Sequence, residues 1–144
     1  MALQRFAAKL AGLYPEDTLQ ALIVDEAMDT INELAGKAPQ GGTDEEKKEK
    51  RRAYQTNEMT KFFGLIESRI QHFGGGTTIC GVPSVADLHL MVTVQGLQSG
   101  FWDFIDVHFF KDFPGITACV DHIAAHVIVK AYYDSLEAAK NEKL

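Results

Sequence analysis

SVADLHLMVTVQGLQSG, residues 84–100, decides the fold. Val85, Ala86, Leu88, Leu90, Met91, Val92, Val94 and Leu97 surround a helix that is apolar almost all the way round. Such a helix belongs in the centre of a protein. Ser84 stands at its N-cap and Asp87 three residues on, the spacing of a capping box. The usual N3 residue is Glu or Gln; Asp is shorter and does the same work. The box satisfies backbone N–H groups that have no water in a buried helix start, and is worth ~1–2 kcal/mol. A structural role for Asp87 therefore outweighs a catalytic one. Ser99 and Gly100 close the helix.

Toward the C-terminus, FWDFIDVHFFKDF (101–113) is aromatic and holds one short helical turn. Pro114 suits the first turn of a helix to about residue 126. A last helix is predicted over 128–142, with Val129, Tyr132, Tyr133 and Leu136 facing inward. Toward the N-terminus, FGGGTT (73–78) ends a long helix that begins at the capping box Thr43–Glu46. Its first turns, EEKKEKRR, read as solvated, and its later turns bury Phe62, Phe63, Ile66 and Ile70. The loop GKAPQGGTD (36–44) separates it from a helix over 17–35, capped by Asp17, with Leu19, Leu22, Ile23, Ala27, Ile31 and Leu34 on its apolar face. Residues 2–12 carry a further stripe, Leu3, Phe6, Ala7 and Leu10, closed by Gly12. Met1 opens directly on that helical pattern with no cap, and the expectation is that more chain precedes it. No strand and no repeat is legible, so the fold class is all-α, a bundle around the helix at 84–98.

The 144 residues fit one domain, with 46% hydrophobic and 24% charged residues. A net charge of −6 argues against nucleic acid and acidic lipid as partners. No apolar run approaches the ~18 residues that span a bilayer, and the first residues lack the pattern of a secretory signal. Cys80 and Cys119 stand in no metal or redox spacing and read as reduced thiols. A cytoplasmic protein is expected.

Three groups of residues invite a chemical reading. Asp25, Asp29 and Glu33 lie at i, i+4 and i+8 on one face of the second helix. A solvated acidic face explains them; so does a cation, whether a ligand ammonium, a metal or an arginine of a partner subunit. His122 and His126 have a metal-compatible spacing but no third ligand, and no metal site is expected. His89 fits a hydrogen-bonded core or boundary position better than a general base. No nucleophile elbow, P-loop or dinucleotide motif is present.

The order of these segments resembles the glutathione transferase family, nearest its sigma, mu, alpha and pi branch. ALQRFAAKLAGLYP is similar to the family's third helix, with Ala2, Leu3, Arg5, Phe6 and Gly12-Leu13-Tyr14 in matching places. Val24 to Asp29 resembles the start of the first helix of its second domain. Ser84-Val85-Ala86-Asp87-Leu88 is similar to its signature capping box. Phe113 to Ile116 and Lys130-Ala131-Tyr132 resemble its next helix start and its final helix. Val127 departs from the Pro common there, which affects a turn.

The resemblance implies that residues 1–14 are a remnant of the last helix of a thioredoxin-like domain, and that 15–144 are the C-terminal helical domain. The Gln-Ser pair that holds glutathione, and the thiol-activating residue, would lie upstream of Met1. It implies glutathione as co-substrate rather than as a tightly bound cofactor, a hydrophobic electrophile as second substrate, and a homodimer. Glu33 takes the place of an acidic residue that reaches across the dimer to the α-amino group of glutathione, and Asp29 lies one turn earlier. The loop after Glu33 and the region of Tyr54 line the electrophile pocket by the same analogy. The alternative is that such a domain acts as an assembly module, since fold alone does not fix function.

Overall fold

A computed structural model describes residues 2–141. Seven α-helices follow one another: α1 (Ala2–Leu10), α2 (Thr18–Lys37), α3 (Asp44–Tyr54), α4 (Thr60–Phe73), α5 (Val85–Gln98), α6 (Pro114–Ala124) and α7 (Val127–Asn141). A π-helical turn, Gln55–Met59, joins α3 to α4, and a 3-10 turn, Phe109–Asp112, precedes α6. The described residues include no strand. Residue 142, the predicted end of the last helix, lies outside the described residues.

The fold is the all-α bundle that the 84–98 stretch predicts. α5 packs against α1, α2 and α6, and α4 packs against α2 and α6. Ala86 and Leu90 of α5, Phe63 and Ile70 of α4, and Val24 and Met28 of α2 have no exposed surface. Phe63 is ringed by Phe110, Phe109 and Phe113, the first edge-on at 4.8 Å between centroids. The aromatic 101–113 segment thus supplies one wall of the core.

Helix ends follow the sequence signals closely. α1 and α5 both close in Schellman motifs around a left-handed glycine, Gly12 at φ +69° and Gly100 at φ +77°. Leu13 N–H donates to Ala8 O and Phe101 N–H to Gly96 O, the long bonds of each motif. At Gly74 the reason for glycine is a close approach: a Cβ there would sit 1.3 Å from the Thr78 carbonyl oxygen.

Four expectations about faces need correction. Val92 of α5 is exposed, so that helix is buried on most of its circumference and not all of it. Leu19 and Leu22 point to solvent, and the buried face of α2 is Ile23, Val24, Ala27, Met28, Ile31 and Leu34. Of the four α7 residues expected inward, only Val129 is buried, in an apolar cluster with Met91 of α5 and Ile123 of α6; Tyr132, Tyr133 and Leu136 are exposed. The charged opening of α3 is not wholly solvated either. Arg51 is 5% exposed, and its guanidinium donates to the carbonyls of Pro39 and Asp103 and to Gln40 Oε1.

The π turn has a simple origin. The buried residues along α3 and α4 are Arg51, Tyr54, Met59, Phe63, Ile66 and Ile70. Every step is three or four residues except Tyr54 to Met59, which is five. A regular α-helix cannot keep both on one face; a single wider turn can.

Candidate functional site

The head of α5 is the most completely bonded polar centre in the chain. Asp87 Oδ2 accepts from the Ser84 backbone N–H at 2.7 Å and from the Ser84 hydroxyl at 2.8 Å. Its Oδ1 accepts from the Ile79 N–H at 2.8 Å and from the Cys119 thiol at 3.2 Å. Burial pushes the Asp87 carboxyl above its ordinary range, and the four donors pull against that shift. Asp87 therefore ties the 79–84 loop and α6 to α5. It is 1% exposed, so its role is to hold these elements together. Burial also pushes the Cys80 and Cys119 thiols up, which keeps both unreactive.

The acidic face of α2 meets cations of its own chain. Arg5 of α1 donates to Asp25 at 2.6 Å and reaches Asp29 at 3.4 Å. Glu33 pairs with Lys37 one turn on, and Glu26 with Arg69 of α4. The Arg5 fork pins α1 to α2. Sequence reading placed the three carboxylates on one stripe but missed this partner, although Arg5 stands on α1 in the segment quoted for the resemblance. Glu33 and Asp29 both remain largely exposed.

Tyr54 is buried, and its hydroxyl donates to the Leu34 carbonyl at the end of α2. Burial pushes that phenol up to about 12. The ring holds the end of α2 in place, one residue beyond Glu33, and its hydroxyl hydrogen is committed to that carbonyl. Close by, Ala35, Val92, Thr93, Leu97, Phe101 and Trp102 line a groove of about 280 Å³. His89 lies half-buried in a second, smaller hollow with Gln4 and Val92, and burial holds its imidazole below the ordinary value. His122 is exposed and His126 half-buried. Among the described residues no group of three or more His, Cys, Asp or Glu could hold a metal ion. Nor is any helix of the described residues long and apolar enough to cross a membrane.

The family glutathione S-transferase, C-terminal domain, matches residues 28–136. The chain belongs to this family. Among solved structures, this glutathione S-transferase domain is similar to prostaglandin synthase D of Nilaparvata lugens, with a TM-score of 0.78 and 19% identity over 92% of the chain. It is also similar to a Pi-class glutathione S-transferase of Onchocerca volvulus, with a TM-score of 0.71 and 20% identity over 96% of the chain. At these identities the likeness is one of fold. The domain spans 65% of the length of each of these two proteins. No curated protein sequence matches it.

Sequence reasoning missed another residue that the transferase-type domain depends on. Glu67 of α4 accepts from the N–H groups of Gly115 and Ile116, both at 2.8 Å, and so caps α6 from a different helix. No local spacing reveals such a cap, because donor and acceptor are 48 and 49 residues apart.

Proposed function

We propose that this chain is the C-terminal domain of an enzyme that conjugates glutathione to hydrophobic electrophiles, and that it supplies the electrophile-binding wall and the dimer contacts. The observation that carries the reading is the family match across residues 28–136. In this reading residues 1–14 close the thioredoxin-like domain and 15–144 form the helical domain. The uncovered stripe of α1, Leu3, Phe6 and Leu10, is then the seat of the thioredoxin-like domain. The groove between Ala35 and Trp102 takes the apolar co-substrate, in the manner of a mostly apolar pocket with few polar groups. Tyr54 acts there as a positioning residue through Leu34. The exposed Leu22, Leu65 and Phe73 on α2 and α4 are the face for a second subunit.

Glu33 then meets the glutathione ammonium held by the other subunit, with Asp29 one turn away. Its present partner, Lys37, is solvent-exposed and easily exchanged. A charge-assisted hydrogen bond to that ammonium is worth ~1.5–3 kcal/mol. The chain alone, without the thiol-activating domain, is expected to bind no glutathione in calorimetric titration. Joined to a thioredoxin-like glutathione-binding domain, it is expected to conjugate an aryl halide. In that form Glu33→Gln raises the glutathione KM about tenfold, at ~1.4 kcal/mol per decade, while Glu49→Gln leaves it unchanged. Equal effects of the two substitutions would remove Glu33 from the site. Failure of the joined protein to conjugate would sink the enzymatic reading.

A further inference from the structure

Three glycines stand inside helices without a positive φ: Gly36 in α2, Gly64 in α4 and Gly96 in α5. At each of them an added Cβ would meet nothing within 4 Å beyond its own helix. Neither a special backbone angle nor a close approach therefore calls for glycine there. Glycine inside a helix is nonetheless less stable than alanine, through the backbone freedom it loses on folding.

Gly96 differs from the other two in its surroundings. It lines the groove of about 280 Å³ with Ala35, Val92, Thr93 and Trp102, and neither Gly36 nor Gly64 does. Gly96 follows Val92 by four residues and Thr93 by three, so the three share one helix face. Along that face the groove is walled at Val92 and Thr93 and left open at Gly96. The chemistry of the groove is as restricted as its size. No charged residue lines it. Its one hydroxyl hydrogen is committed, since Thr93 donates to the His89 carbonyl at 2.8 Å. The Gly96 carbonyl is engaged too, accepting from the Ser99 hydroxyl at 2.8 Å and from the Phe101 N–H at 3.2 Å. A charged ligand would lose hydration there with nothing to replace it. Small-molecule sites span ~300–1,000 Å³, so a groove of this size has little spare volume and one added side chain decides what fits.

We propose that Gly96 is the specificity-determining residue of this groove. Its absent side chain admits an uncharged, fused-ring body that a larger residue would exclude, and α5 forgoes some helix stability to keep that opening. The assignment rests on the groove as the seat of the apolar co-substrate, and goes beyond it in naming the residue that sets ligand size.

Trp102 is the chain's one tryptophan, so a single indole N–H resonance reports on the groove by NMR. 2-Methylnaphthalene, toluene and 2-naphthoate are titrated separately into the 144-residue chain. The expected result is a saturable shift of that resonance with 2-methylnaphthalene, and binding of 2-naphthoate about tenfold weaker or worse. Gly96→Leu weakens 2-methylnaphthalene at least about tenfold and changes toluene less than about twofold. Gly96→Ala and Gly64→Ala both raise the melting temperature, but only the change at 96 weakens 2-methylnaphthalene. Parent-like binding of 2-methylnaphthalene by Gly96→Leu overturns the assignment, as does an equal loss for the two hydrocarbons. So does a lower melting temperature in Gly96→Ala, which would give the glycine a structural duty, or a parent chain whose indole resonance does not move. No conjugation enters these measurements. A joined protein that conjugates nothing, beside a chain that binds as expected, removes the enzymatic reading and leaves the role of Gly96 standing.

Discussion

Around the head of α5, Ser84 and Asp87 bond to each other, to the 79–84 loop and to α6, and neither exposes more than 1% of its surface. Along α1 and α7 the amphipathic spacing is just as regular, yet Leu3, Phe6, Leu10, Tyr132 and Leu136 stand in the open. The difference lies in the neighbours. α5 has helices on several sides, whereas α1 is held by its packing on α5 and the Arg5 fork, and α7 by the cluster of Val129 with Met91 and Ile123 at its start. Spacing fixes which face of a helix is apolar. What covers that face is decided by other elements.

The sharpest way to break the contrast is Asp87→Ala. It strands two backbone N–H groups, a hydroxyl and a thiol in the interior, and is expected to cost about 3 kcal/mol in a denaturant melt. Asp87→Asn, which keeps an acceptor, loses less. A melt of the alanine variant within error of the parent would put the α5 head on the same footing as the outer helices. Glu67→Ala comes next: two helix N-terminal donors lose a charged acceptor, for about 2 kcal/mol.

His89 lies at the seam between the two regimes, beside Gln4 of α1. Burial lowers its pKa in the folded state below the ordinary 6.5, so the unfolded chain binds the proton more readily. The associated stability is fully present above pH 6.5 and falls as pH drops through the folded-state value. His89→Gln flattens that part of the stability–pH curve; an unchanged slope between the two proteins would place the imidazole in solvent. The smallest effect belongs to the open stripe. Phe6→Ser with Leu10→Ser is expected to change the stability of this chain by less than about 0.5 kcal/mol. A large loss would mean that α1 is already covered.

Which parts of this were legible follows from distance along the chain. Caps at Asp17, Thr43 and Ser84, and the glycine ends at Gly12 and Gly100, were readable because both partners lie within a few residues. The bundle around α5 was readable because a helix apolar on nearly every side has one place to go. Arg5 to Asp25, Glu67 to Gly115 and Arg51 to Asp103 were not, since each joins residues 20 or more apart. The inward placement of Tyr132, Tyr133 and Leu136 failed for the reason α1 is open: periodicity carries no information about a cover. The π turn did leave a trace, the five-residue step from Tyr54 to Met59 in an otherwise three-and-four pattern.

That wider turn also makes the long helix forgiving of length in one place only. Removing a single residue between Gln55 and Glu58 shortens the step to four, so an ordinary helix would then carry Tyr54 and the Met59–Ile70 face on the same side. The same removal inside α4 would rotate everything beyond it by about 100° and turn Ile70 out of the core. Loss of one codon at 55–58 is thus expected to leave a soluble, folded protein, whereas loss of one codon at 64–69 yields an insoluble one.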